Sequence, residues 1–177
     1  MQELFMLILI DGYNLIRQSD NLRRYERKTL ETGRNALIAR LVEYENKRAH
    51  QIIVVFDGIQ NGWAEEGRDR EGKINIIYSR HGERADDVIK RIAAQTAGEV
   101  IVVSSDREIS SFATQSGKTP LSSLEFEAIM NNVIYAPFET KPATKKMEIN
   151  ERRPQKKGPA RRLPRAKRQK QTKISKL

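Results

Sequence analysis

Phe5-Met6-Leu7-Ile8-Leu9-Ile10-Asp11-Gly12-Tyr13-Asn14 is the stretch that decides the fold. Its apolar run carries no alternating polar residues and stops at an acid and a glycine. That is the pattern of a strand buried on both faces, as in a parallel sheet. The run is too short to cross a membrane, and no basic flank or small-residue cleavage site accompanies it. Three further runs repeat the theme. Ile52-Ile-Val-Val-Phe56 ends in Asp57, and Val100-Ile-Val-Val-Ser-Ser105 ends in Asp106. Ile74-Asn-Ile-Ile-Tyr78 precedes a helical segment that opens with Asp86 and Asp87.

Strands are therefore expected at 4–10, 51–56, 73–78 and 100–104, with a short fifth at 119–121. Helices are expected at 30–47, where Leu30, Leu37, Ile38, Leu41 and Tyr44 share one face, and at 85–97 and 107–115. Ser122-Ser-Leu-Glu125 has the form of a capping box and opens a last helix reaching about Met130. Alternating strands and helices imply an α/β domain over residues 1–138. Arg17–Lys28 reads as a loop or irregular helix, and 59–72, rich in glycine and charge, as a mobile surface loop. Trp63 in that loop is read as packing the loop onto the domain, and His81 as a surface residue.

The charge is divided. The chain of 177 residues has a net charge of +10, yet residues 141–177 hold 15 Lys and Arg against two acids, leaving 18 bases and 21 acids for the rest. A slightly acidic domain with a strongly basic tail is a nucleic-acid pattern. Residues 139–177 have almost no aliphatic side chains, so the tail is expected to be disordered when unbound. Its clusters Arg152-Arg153, Lys156-Lys157, Arg161-Arg162 and Arg165-Ala-Lys167-Arg168 are candidate phosphate contacts, with Arg17, Arg23, Arg24, Arg27 and Lys28 as a second patch. The competing reading for either group is a solvated, solubilising surface. RNA is favoured over an acidic membrane surface as partner for the tail, because the tail has no amphipathic apolar face.

The chain contains no cysteine and two histidines. Disulfides, thiolate zinc sites and a cysteine nucleophile are excluded, and a reducing cytoplasm is the expected compartment. Oxygen ligands remain, and these suit Mg²⁺ or Mn²⁺. One aspartate after a strand is as readily a turn residue or helix cap as a catalyst. Four at one sheet edge repel one another unless a cation neutralises them, which favours a metal site. Asp11 is the leading ligand, Asp86 and Asp106 complete the cluster, and Asp57 is a ligand or an outer partner. Asp87 lies about 100° further round the helix and points elsewhere. Asn14 and Ser105 are candidates for orienting carboxylates or waters. No dinucleotide fingerprint, Walker loop or Gly-x-Ser-x-Gly elbow is present, and Tyr13 stands where an aspartyl phosphatase places its second acid.

The segments Ile8-Leu-Ile-Asp-Gly-Tyr-Asn14, Val54-Val-Phe-Asp-Gly58, Arg84-Ala-Asp-Asp87 and Val102-Val-Ser-Ser-Asp-Arg-Glu108 resemble the YacP-like branch of the NYN domains, within the PIN-like nucleases. The resemblance spans about residues 4–138. It implies a three-layer α/β/α fold with a mainly parallel sheet and a Mg²⁺- or Mn²⁺-dependent endoribonuclease. Its acidic positions match Asp11, Asp57, Asp86 and Asp106, and Asn14 matches the asparagine after the first. It also implies an RNA substrate, mRNA or rRNA, with the ribosome as a partner of some members. The weighed alternatives are a non-catalytic RNA- or ribosome-binding adaptor on the same fold and a metal phosphatase. Oligomeric state is not legible.

Overall fold

Asp11 ends β1 (Leu7–Asp11), and β2 (Gln51–Phe56), β4 (Ile74–Tyr78), β5 (Val100–Val103) and β6 (Thr119–Leu121) follow in parallel. The computed structural model describes residues 6–58, 66–136 and 165–177. β3 (Gly67–Glu71) pairs antiparallel with β4, and the sheet order is β3-β4-β2-β1-β5-β6. β1 is thus central, flanked by β2 and β5. Chain order runs outward on one side of β1 and then jumps to the other, so the topological switch point lies between β1 and β5. In open α/β sheets that crevice, outside the strand C-termini, is where ligands bind.

Helices cover both faces. α4 (Ala85–Gln95) and α5 (Arg107–Gln115) pack on one face, where Leu7, Leu9, Val55, Val100 and Val102 meet Val88, Ile89, Ala93, Ile109 and Ala113. α1 (Gly12–Gln18), α3 (Leu30–Glu45) and α6 (Ser123–Tyr135) cover the other, with Leu37, Leu41, Tyr44, Phe126 and Met130 fully buried. Tyr44 meets Phe126 edge-on at 5.7 Å. Each such fully buried side chain stabilises the fold by about 1.5–3 kcal/mol before entropy is counted. The result is the expected three-layer α/β/α domain.

The sequence expectation differs from the structure in three places. Residues 67–71 form edge strand β3, not loop; the earlier part of that segment, 59–65, lies outside the described residues. Gly-Arg-Asp-Arg-Glu has no apolar alternation because only Gly67 is buried. The strand is held by its ladder to β4 and by Glu66, just ahead of it, which pairs with Arg91 of α4 at 2.6 Å and Arg68 at 2.9 Å. Arg17–Lys28 is mostly regular helix: α1 ends at Gln18, and α2 (Asp20–Glu26) starts after Ser19, whose hydroxyl accepts from the Leu22 amide. Only Leu22 of α2 is buried, so the sequence carries no apolar stripe to read. Finally, α7 (Arg165–Ile174) stands in the tail, where composition suggests no element. It follows Pro164 and consists largely of Arg, Lys, Gln and Ala, all good helix formers. The rest of the tail up to Pro164 lies outside the described residues. The chain divides into two units, Met1–Tyr135 and Ala136–Leu177, so α7 is described by itself.

Other expectations match. α6 opens on the capping box: the Ser122 hydroxyl accepts from the Glu125 amide, while the Glu125 carboxylate accepts from the Ser122 amide. It runs beyond Met130, to Tyr135. Pro120 sits in β6, an edge strand, where a missing N–H is tolerated.

Candidate active site

The carboxyl ends of β1, β2 and β5 and the start of α4 enclose a cleft of about 510 Å³, lined by Asp11, Asp57, Asp86 and Asp106 together with Tyr13, Asn14, Arg17 and Arg84. Each acid arrives there for a local reason. Asp11 caps α1, its Oδ1 accepting from the Asn14 amide at 3.2 Å. Asp106 caps α5, its Oδ1 accepting from the amides of Glu108 and Ile109 at 2.7 and 3.3 Å. Asp86 sits in the first turn of α4, and Asp57 follows β2. Asp11 and Asp106 are therefore helix caps that also line the cleft.

Ser104 joins them. Its hydroxyl donates to Asp11 Oδ2 at 3.2 Å and accepts from the Asp106 amide at 3.1 Å. The Asp11–Ser104–Asp106 chain spans the switch point between β1 and β5. A parallel arrangement stands next to it: the Ser79 hydroxyl donates to Asp57 Oδ1 at 3.1 Å and accepts from the Gly58 amide at 3.0 Å. Sequence reading singles out neither serine. Both lie just past a strand, where the apolar pattern lapses, so nothing distinguishes Ser104 from Ser105.

Two glycines let these turns close. A Cβ on Gly12 would lie 2.3 Å from the Phe56 ring, and one on Gly58 would lie 1.9 Å from the Ser79 carbonyl oxygen. Tyr13 packs edge-on against Phe56 at 5.1 Å, and its hydroxyl accepts from Arg34 at 2.8 Å. It forms the wall of the cleft.

Asp11 is buried, and its carboxyl is pushed up to about 6. Burial is the main cause; the Asn14 amide and Ser104 hydroxyl oppose it, and the charges of Asp86 and Asp106 add to it. The Asp86 carboxyl is also raised, first by burial, with Arg84 opposing and Asp106 adding. Arg84 pairs with Asp86 at 3.1 Å. Arg17 pairs with Glu26 at 3.2 Å and lies 5.4 Å from the centre of the Tyr13 ring.

Among the described residues no group of three or more His, Asp or Glu side chains is close enough to form a ready cation cage. The donors nevertheless suit a hard cation. All four are carboxylates, and Mg²⁺ is usually held by one or two carboxylates with water and substrate phosphate completing its shell. The raised Asp11 carboxyl records an electrostatic deficit that a cation would relieve.

The remaining expected residues are placed as follows. Asn14 accepts at Oδ1 from the Ser105 amide (2.9 Å) and the Ser123 hydroxyl (2.8 Å), and the Ser105 hydroxyl accepts from the Ser123 amide at 3.2 Å. Asn14 and Ser105 thus tie α1, the β5 turn and α6 together, and the contact to a carboxylate is made by the Asn14 backbone. Asp87 is exposed and accepts from the Arg84 amide at 3.4 Å; it is not among the cleft residues. Arg23 pairs with Asp20 at 3.0 Å, and Arg24 lines a different cleft. His81 is exposed. Trp63, Arg152, Arg153, Lys156, Lys157, Arg161 and Arg162 lie outside the described residues, whereas Arg165, Lys167 and Arg168 are on α7. No helix among the described residues is long and apolar enough to cross a membrane.

The YacP-like NYN domain family model matches residues 8–176, so the match runs past the α/β domain into the basic tail. The uncharacterized protein YacP of Bacillus subtilis (strain 168) is 29% identical over 104 residues, covering 56% of this chain and 60% of that protein. The chain thus matches less than two thirds of that relative's length. The crystal structure of a mutant form of Rae1 (YacP) from Bacillus subtilis superposes with a TM-score of 0.60 at 25% identity, covering 72% of this chain and 75% of that one. A second crystal structure of Rae1 (YacP) from Bacillus subtilis gives 0.59 at 23% identity, covering 72% and 74%, a likeness of fold.

Proposed function

The chain belongs to the YacP-like NYN domain family, and from that premise we propose that it is a Mg²⁺- or Mn²⁺-dependent endoribonuclease. The observation that carries the proposal is the Asp11–Ser104–Asp106 chain at the switch point, with Asp86 lining the same cleft. Asp11, Asp86 and Asp106 are the residues to hold the cation, and Asp57 supports from the next strand end. When bound, the cation supplies an acidified water and counter-charge for a phosphodiester.

The protein's own side chains do the rest. Ser104 fixes the rotamers of Asp11 and the turn that carries Asp106. Asn14 locks that turn against α6. Arg17 and Arg84 stand in the cleft wall as phosphate partners once their carboxylates are engaged elsewhere. The basic tail, including α7, gives sequence-independent grip on RNA. RNA presented on the ribosome, mRNA or rRNA, is the substrate class we infer, and the cytoplasm is the compartment, in keeping with a chain free of cysteine.

The test is cleavage of single-stranded and structured RNA, free and on translating ribosomes, with Mg²⁺ or Mn²⁺, beside EDTA and Asp11→Asn. Cuts that vanish in both controls support the proposal. RNA binding without cuts under every condition would assign the chain to the adaptor class. Deleting 141–177 should flatten the salt dependence of RNA binding.

A further inference from the structure

α2, α3 and the end of α6 enclose a second cleft, of about 650 Å³, that the aspartate chemistry does not use. Two tyrosines line it, Tyr25 and Tyr135, 46% and 72% exposed; with Leu124 they are the large apolar side chains left open to solvent among the described residues. Arg24 and Lys28 line it too, and among the described residues no carboxylate does. Among the described residues neither Arg24 nor Lys28 enters an ion pair, whereas Arg23, on the next position of α2, is neutralised by Asp20. Small side chains, Ala36 and Ala39 of α3, keep the cleft open.

Open aromatic faces beside unneutralised cations are the two parts of a single-strand RNA site: bases stack on rings, and phosphates take the cations. The volume lies within the range of pockets that bury a small organic group such as a base. The cleft also adjoins the aspartate site. Lys28 lines one and Leu30 the other, and two residues of chain span at most ~7 Å. The chain beyond Tyr135 carries 15 bases against three acids, a charge balance that does not complement Arg24 and Lys28. An acidic peptide would satisfy the cations and leave the rings without flat partners.

We propose that this cleft binds a single-stranded RNA segment flanking the bond that is cut, with bases against Tyr25 and Tyr135 and phosphates against Arg24 and Lys28. That the segment flanks the cut bond rests on the nuclease reading; the binding does not. The experiment uses the full chain in EDTA, with a fluorescein-labelled oligouridylate of about twelve nucleotides, within the span of a single-strand binding site, read by anisotropy. Three variants are compared: Tyr25→Ala with Tyr135→Ala, the same pair to Phe, and Lys28→Glu. All these side chains are exposed, and a thermal melt followed by circular dichroism confirms that each variant is folded.

The expected result is a loss of about tenfold in affinity for the alanine pair, ~1.4 kcal/mol, with affinity kept in the phenylalanine pair and a shallower salt slope for Lys28→Glu. Unchanged binding in the alanine pair overturns the proposal, and so does an equal loss in the phenylalanine pair. Oligoglutamate binding that is lost in the alanine pair while RNA binding is kept would overturn it in favour of an acidic protein partner. Because the readout needs no cleavage, a chain that binds through this cleft and never cuts removes the nuclease reading alone. A chain that cuts but binds equally in all variants removes this site alone.

Discussion

Asp11 and Asp57 end neighbouring parallel strands, each is followed by a glycine, and each accepts a hydrogen bond from a serine just past an adjacent strand. The two arrangements differ in where the serine leads. Ser79 passes on to the Gly58 amide, so the Asp57 arrangement closes on its own turn. Ser104 passes on to the Asp106 amide, so the Asp11 arrangement ties one carboxylate to the backbone of the turn that carries another, across the switch point. Asp11 is also the buried one, with its carboxyl pushed up to about 6, while Asp57 is half-buried. One local motif is thus used twice: once to shape a turn, once to hold charge where charge is costly.

The two turns should differ most in activity. Asp11→Asn keeps the shape and an equally good helix cap, and should lower RNA cleavage at saturating Mn²⁺ by more than about 100-fold, beyond the range expected for an outer partner. Asp57→Asn should cost less, about 10–100-fold. Single-turnover rates of the two variants side by side decide it, and equal losses would erase the distinction between the two turns.

Their serines should differ as well. Ser104→Ala should lower cleavage by about 10–100-fold, because a ligand loses its orienting donor. Ser79→Ala should leave the rate nearly unchanged and act on stability instead, by about 1–3 kcal/mol in a denaturant titration, since the buried Gly58 amide loses its acceptor.

The pH dependence follows from Asp11. Its carboxyl must be ionised to hold a cation, so cleavage at limiting Mn²⁺ should fall as pH drops through about 6 and level off about one unit higher. The stability of the metal-free protein moves the other way. The folded value lies above the ordinary carboxylate value of 3.8, so Asp11's contribution is full below 3.8 and is lost as pH rises through about 6. Asp11→Asn removes that deficit. The variant should be more stable than the wild type by about 1–3 kcal/mol at about pH 7.5, with no such gain near about pH 3.5, when both are unfolded in urea without metal.

The part of this molecule that can be read from its sequence is the part where burial imposes a pattern. β1, β2, β4 and β5 are buried on both faces or nearly so, and their apolar runs, broken inside only by Asn75 of β4, announce them. The acids at their ends announce the cleft. β3 is invisible because it is held by a ladder and ion pairs, with every residue after Gly67 exposed. α2 is blurred because a single leucine is all it buries, although Ser19 carries a cap signal. In the site, the residue types are legible and the wiring is not. Ser104 and Ser105 are neighbours with the same side chain. Only the three-dimensional turn assigns one to Asp11 and the other to Asn14 and Ser123.

The most direct measurement is a Mn²⁺ titration followed by electron paramagnetic resonance on wild type, Asp11→Asn, Asp106→Asn and Asp57→Asn, without RNA and again with a non-cleavable phosphorothioate oligonucleotide. Saturable Mn²⁺ binding in the wild type, strengthened by the oligonucleotide, lost in the Asp11 and Asp106 variants and only weakened in the Asp57 variant, is the predicted result. Binding of equal strength in the wild type and Asp11→Asn, or none in the wild type with the oligonucleotide present, would contradict a metal-dependent nuclease site at the β1–β5 switch point.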